Sequence, residues 1–145
     1  MLSFQRLDVY RCAIDMVAFS ASISGRMPKG FSSLTEQLRR AALSVPLNIA
    51  EAAGRNTDAD AARHYAIARG SAMEFAALID TLRVLDALDE PAHASALELA
   101  SRVVAMHNQA LSLRSSPSPS RSPSTTTTTS TPTTTSAARI PQVSV

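Results

Sequence analysis

Between Leu34 and Ala52 the chain is apolar on two opposite sides of one helix. Leu34, Leu38, Ala41, Val45, Ile49 and Ala52 recur every three or four positions and form one stripe. At an advance of ~100° per residue, Leu43, Leu47 and Ala50 fall on the far side of that stripe. A bundle helix turns one face to water and keeps it polar, so two apolar faces mean burial on two sides. One face belongs to the chain's own core. The other predicts a second subunit, with Leu43, Leu47 and Ala50 at the interface, because most soluble oligomers are symmetric and self-associating. Pro46 lies inside the segment, where a missing amide donor and a clash with the preceding turn cost ~3 kcal/mol. The expectation is a kink held by packing.

A polar line runs along the edge of the stripe: Gln37, Arg40, Ser44, Asn48, Glu51 and Arg55. Glu51 and Arg55 are four apart and positioned to pair. At the border of a core such residues need partners, because unpaired buried charge is costly. A hydrogen-bonded seam between helices, a ligand-binding line and a solvated face are the three readings. Gly70, Ser71 and Glu74 belong to the same question: the glycine suggests close approach of another backbone, and Ser71 and Glu74 have the reach to meet Arg40 or Arg55 across a helix interface.

Three further helices are legible. Leu7, Tyr10, Ile14, Val17 and Ala21 predict a helix over residues 5–24, stopped near Gly25. Ser33 with Glu36 has the form of a capping box opening the second helix, and Gly54 closes it. Thr57, followed by Asp58 and Asp60, opens a third over residues 58–88, with Tyr65, Ala68, Ala72, Phe75, Ile79 and Leu82 as its stripe. Pro91 suits the start of a fourth, over 91–113, whose apolar residues cover more than one face. Four helices with short links give an all-α fold, an antiparallel up-down-up-down four-helix bundle over residues 1–113. From Arg114 the composition changes: Ser, Thr and Pro fill 23 of the last 32 positions. Residues 114–145 are expected to be a disordered tail, since they hold too little apolar surface to bury.

Charge and cysteine content narrow the function classes. The bundle holds 11 Lys and Arg against all 12 acids, so it is nearly neutral, with the basic excess in residues 1–70. Arg6, Arg11, Arg26, Lys29, Arg39 and Arg63 are the candidate phosphate contacts of a nucleic-acid partner. The single Cys12 excludes an internal disulfide and suits a reducing compartment. No run approaches the ~20 apolar residues of a membrane span, and the first helix is broken by charges unlike a signal peptide. A soluble cytoplasmic protein is expected. Glu90 and His93 form one Glu-x-x-His, where di-iron bundles use two pairs and further carboxylates. No nucleophile–base pair, metal cluster or phosphate loop stands out, so neither a catalytic residue nor a cofactor is assigned.

The residues just described also form a pattern. Arg39, Arg40, Ala41, Ser44, Pro46, Asn48, Ile49, Ala50, Glu51 and Arg55, followed by Ala68, Gly70, Ser71 and Glu74, resemble the signature of a four-helix-bundle family. That family was first noted in proteins encoded by intervening sequences of large-subunit ribosomal RNA, and it includes the accessory variability protein of diversity-generating retroelements. The similarity covers residues 4–113, with Ala52 standing where the family usually has Gly. The resemblance implies an antiparallel bundle that assembles as a ring-like pentamer. In the retroelement protein it implies binding of nucleic acid and of a reverse transcriptase. The resulting expectation is a non-catalytic homo-oligomer acting as an accessory module for RNA, DNA or a nucleic-acid enzyme. The alternative is a scaffold without nucleic-acid binding.

Overall fold

The structure is a computed structural model that describes residues 2–115, with side chains up to Met106. A 3₁₀ turn, Ser3–Arg6, leads into α1 (Asp8–Ser24), α2 (Ser32–Ala53), α3 (Asp58–Val84) and α4 (Glu90–Ser115). Among the described residues there is no strand. Each helix packs on its two neighbours, α4 closing back onto α1, while the backbones of the diagonal pairs α1/α3 and α2/α4 stay apart among the described residues. That is the up-down-up-down arrangement. No described helix is long and apolar enough to cross a membrane. Arg114 and Ser115, expected to open the disordered tail, instead continue α4, and the rest of that expected tail, residues 116–145, lies outside the described residues.

The core is a single cluster drawn from all four helices, with Phe75, Met16, Leu38, Ile49, Ile79 and Leu82 its largest fully buried side chains. The stripes of α2 and α3 enter it as expected. Leu34 and Tyr65 pack at its edge, and the other members are buried. Phe19 of α1 meets Phe75 of α3 edge-on, ring centres 6.3 Å apart, a favoured aromatic geometry.

The α1 stripe differs from its expectation. Cys12, Ala13, Met16, Ser20 and Ile23 are the buried residues, while Leu7, Ile14 and Ala21 are exposed. The helix is rotated by roughly a third of a turn from the expected orientation. Its apolar residues cover more than half its circumference, so periodicity fixes no single angle. Small Ala13 and Cys12 let α1 approach its neighbours, and Met16, Phe19 and Ile23 fill the space that remains.

Helix ends show which local signals prevail. Thr57 caps α3 as expected, its Oγ1 accepting from the amide of Asp60 at 3.1 Å. The Ser33–Glu36 box does not form. Helix α2 begins at Ser32, with Phe31 in the cap position and no side-chain cap bond. Phe31 packs against the core, Gly30 turns the chain with φ +110, and Glu36 pairs with Arg40 instead. Packing of the half-buried phenyl ring against the core sets the entry of the helix. Helix α3 ends four residues before the expected position. Asp86 adopts a left-handed φ of 54, and the Ala87 amide bonds back to the Leu82 carbonyl at 2.9 Å. Asp occupies the place glycine usually takes at such an end, so the stop carries no glycine signal. At α4, Asp89 caps the Ala92 amide at 2.9 Å and Pro91 lies in the first turn.

Candidate interaction face and polar seam

Helix α2 carries three functionally distinct sides. Its core side faces inward, its flank meets α3, and its back is open. Helical structure continues through Pro46, which is buried. Pro46 sits beside Ala42 on the flank away from α3, and α1 is the helix that packs there. Packing, and not a backbone bond, holds that turn in place.

The flank toward α3 forms a continuous polar chain. Ser71 Oγ donates to Ser44 Oγ at 2.8 Å. Asn48 Nδ2 donates to the Ser44 carbonyl at 2.8 Å and to Ser44 Oγ at 3.2 Å. With its amide nitrogen turned to Ser44, Asn48 offers Oδ1 to His64, whose Nδ1 lies 3.2 Å away. His64 therefore donates from Nδ1 to that oxygen. The seam is half-buried, and no buried side-chain polar atom among the described residues lacks a partner.

Other members of the polar line stay on their own helix. Arg40 Nε reaches Glu36 at 3.4 Å, and Arg55 pairs with Glu51. Both pairs are solvent-exposed, and such pairs contribute ~0.3–0.5 kcal/mol. The expected reach of Ser71 and Glu74 to Arg40 or Arg55 is not made: Ser71 bonds Ser44, and Glu74 is exposed. Nor does Gly70 meet a close backbone. It is exposed, and a Cβ placed there would find nothing within 4 Å. His64 is the seam residue that sequence reasoning missed. Its position sixteen residues from Asn48 carries no local signal.

Leu43 and Leu47 occupy the open back of α2, 44% and 66% exposed, with Ala50 half-buried beside them. The two seam bonds fix the antiparallel register of α2 and α3. In that register Leu47 stands level with Ile67 of α3, itself 43% exposed. A branched apolar surface thus spans both helices.

The candidate phosphate contacts do not form one patch on a single chain. Arg6 and Arg11 lie at one end of α1, and Arg26 and Lys29 follow its other end, about 25 Å away at 1.5 Å per residue. Arg39 is on α2 and Arg63 on α3, and all six are exposed. Arg11 also sits 3.9 Å from Asp8. No group of three His, Cys, Asp or Glu that would hold a metal occurs among the described residues. His93 bonds Asp80 at 2.8 Å and approaches Glu90 at 3.9 Å, where Arg83 also binds Glu90 at 3.0 Å, so this cluster ties α4 to α3. The cavity at the junction of Leu7, Ile49, Tyr65 and Met106 is about 100 Å³, below the size of ordinary ligand pockets. Burial pushes the Cys12 thiol up, and nearby Arg102 only partly opposes this.

Fold and seam together define an antiparallel four-helix bundle with an open apolar back. The model of the 23S rRNA-intervening sequence protein family matches residues 5–109, and the chain belongs to that family. A solved structure from Bacteroides thetaiotaomicron VPI-5482, described as a protein with unknown function from the S23 ribosomal protein family, has the same fold. It superposes with a TM-score of 0.66 at 17% identity, over 71% of this chain and 97% of that one. No curated protein matches the chain.

Proposed function

We propose that the protein is a non-catalytic homo-oligomer whose role is binding, as an accessory module for nucleic acid or a nucleic-acid enzyme. The carrying observation is the back of α2: Leu43 and Leu47 are 44% and 66% exposed on a helix whose opposite side is fully buried. Contiguous branched side chains in water mark an interaction site. A second copy of the chain covers them, in a ring that the family resemblance puts at five subunits. Assembly also supplies what a single chain lacks. Cations scattered over both ends of one bundle become repeated tracks around a ring, and repetition raises avidity for a polyanion. The unpaired Cys12 suits a reducing, cytoplasmic setting.

Light scattering tests the first part. The wild type assembles, and the Leu43→Lys/Leu47→Lys variant is a helical monomer; assembly that survives both charges refutes the choice of face. Retention of RNA or DNA at low salt tests the second, with affinity falling steeply as salt rises. The scaffold reading without nucleic acid has its own support in the near neutrality of the bundle. Absence of any retention at low salt, with assembly intact, selects it.

A further inference from the structure

Near the end of the bundle where α1 and α3 begin, the core is not fully packed. A cavity of about 100 Å³ remains there, with Val9 of α1, Ile49 of α2, Ala68 of α3 and Val103 of α4 in its wall. Ile49, Ala68 and Val103 are buried, while Leu7 and Arg69, which also line it, are exposed, so it opens to the surface. Its volume is of the order of the space that a truncated leucine leaves in a core, ~150 Å³, and an apolar hollow of that kind stays dry and takes up apolar groups. It is sized for one aliphatic side chain. A second hollow, about 270 Å³, lies on the α3/α4 junction between Val104 and Met73, the latter 54% exposed. Ala72 and Ala76 in its wall follow Ala68 by four and eight residues, ~6 and ~12 Å along α3.

The chain itself supplies a fitting occupant. Beyond Ser115 the sequence has three large apolar side chains, Ile140, Val143 and Val145, all within six positions, and residues 116–139 have none. We propose that the segment Ile140–Val145 docks on its own bundle, with the Ile140 side chain in the cavity and Val143 in the second hollow. Pro141 restricts Ile140 to extended backbone. Three residues of extended chain cover ~10 Å, which matches the step from Ala68 to Ala72 and Ala76. The tether is long enough. Helix α4 ends nine residues beyond Met106, ~14 Å from it. A coil of 24 residues, the length of 116–139, spans ~25 Å or more, so Ile140 reaches the cavity without strain. A tether of that length supplies an effective concentration on the millimolar scale. A contact of only millimolar strength between separate chains is then about half occupied within one. The docking needs one chain only and stands apart from self-association.

A spin label reads the contact directly. In a full-length Cys12→Ala/Ser144→Cys chain, a nitroxide on residue 144 broadens the NMR signals of Val9, Ala68 and Val103. It spares those of Ile23 and Leu88, which line a cleft at the opposite end of the bundle. Adding Ile140→Asp reduces that selective broadening about tenfold, because a carboxylate does not enter an apolar cavity; circular dichroism checks that the bundle remains helical. Ala68→Leu fills the cavity from within and gives the same loss; should it unfold the chain, Ile140→Asp alone decides. A synthetic peptide of residues 137–145, added at millimolar concentration, displaces the segment and relieves the broadening. Uniform or absent broadening in the parent overturns the proposal, as does selective broadening that survives Ile140→Asp. Spin-labelled chains refolded together with isotope-labelled chains that carry no nitroxide leave the latter unbroadened. Selective broadening there makes a second copy the donor of the segment and overturns docking within one chain.

Discussion

Asn48→Ala separates a seam that holds the fold from one that serves an outside ligand. Three hydrogen bonds disappear with the amide: two to Ser44 on the same helix and one from His64 Nδ1 across to α3. They do not count equally. The Ser44 carbonyl retains its place in the α2 backbone, and Ser44 Oγ still accepts from Ser71 at 2.8 Å. The one group orphaned is the His64 N–H, which is half-buried and within reach of water. The loss is that of one partly solvated hydrogen bond, about 1–1.5 kcal/mol. Alanine returns about 0.6 kcal/mol through its higher helix propensity. The net destabilisation is about 0.5–1 kcal/mol, or roughly 2–6 °C in thermal midpoint for a domain of this size. Midpoints depend on protomer concentration in an assembling protein. The comparison therefore belongs in the Leu43→Lys/Leu47→Lys background at fixed concentration, by denaturant titration and thermal scan. A companion cycle on Ser44→Ala and Ser71→Ala should show coupling of about 0.5–1.5 kcal/mol. If Asn48→Ala is as stable as its parent and that cycle shows no coupling, the seam does not fasten α2 to α3, and the reasoning fails.

Three further outcomes are expected. Phe75→Ala leaves a cavity at the centre of the core beside Phe19 and costs about 3–5 kcal/mol, measured by denaturant unfolding. Thr57→Ala removes the cap of α3 and costs about 1 kcal/mol, while Ser33→Ala, which loses no cap bond, stays within about 0.5 kcal/mol of wild type. Cys12 has its thiol raised above the ordinary value by burial, so the native state holds its proton more tightly than the unfolded chain. Its contribution is intact below the unfolded value of about 8.5 and is lost as pH rises beyond it. Unfolding titrations from pH 8 to 10 should show a decline that Cys12→Ala reduces.

How much of this was readable depended on the contrast between faces. Helices α2 and α3 each have one dense apolar stripe, and the stripe residues enter the core where the spacing puts them. Helix α1 has apolar residues on both sides, so its angle was settled by fit against three other helices, information no local window holds. The start of α2 followed a half-buried phenylalanine packed on the core and not the hydroxyl two residues later. The end of α3 followed an aspartate in a left-handed turn, where the sequence offers no glycine. The polar line was legible as a line, but its division was not. Ser44 and Asn48 bond across to α3, while Arg40 and Arg55 bond to glutamates of α2 itself. That division depends on which flank of α2 the hairpin presents to α3, and His64 enters only through tertiary register.

Two residues weaken the helices that contain them, and they differ in where the compensation lies. Pro46 removes a backbone donor at a cost of about 3 kcal/mol, yet it is buried in continuous helix on the flank where α1 packs. Its ring occupies space that the chain itself fills, so the compensation is internal. Gly70 costs about 1 kcal/mol relative to alanine and has only solvent above it. The same holds for the exposed leucines of α2, which one chain leaves in water at a loss of burial. Apolar surface that a chain leaves open, next to a glycine that it does not itself require, is consistent with a bundle whose packing is completed by a neighbour. Interface and core would then differ only in which chain supplies the second layer. On that view Leu43→Lys/Leu47→Lys must weaken assembly and leave the stability of the dissociated chain nearly unchanged, whereas Phe75→Ala must lower both.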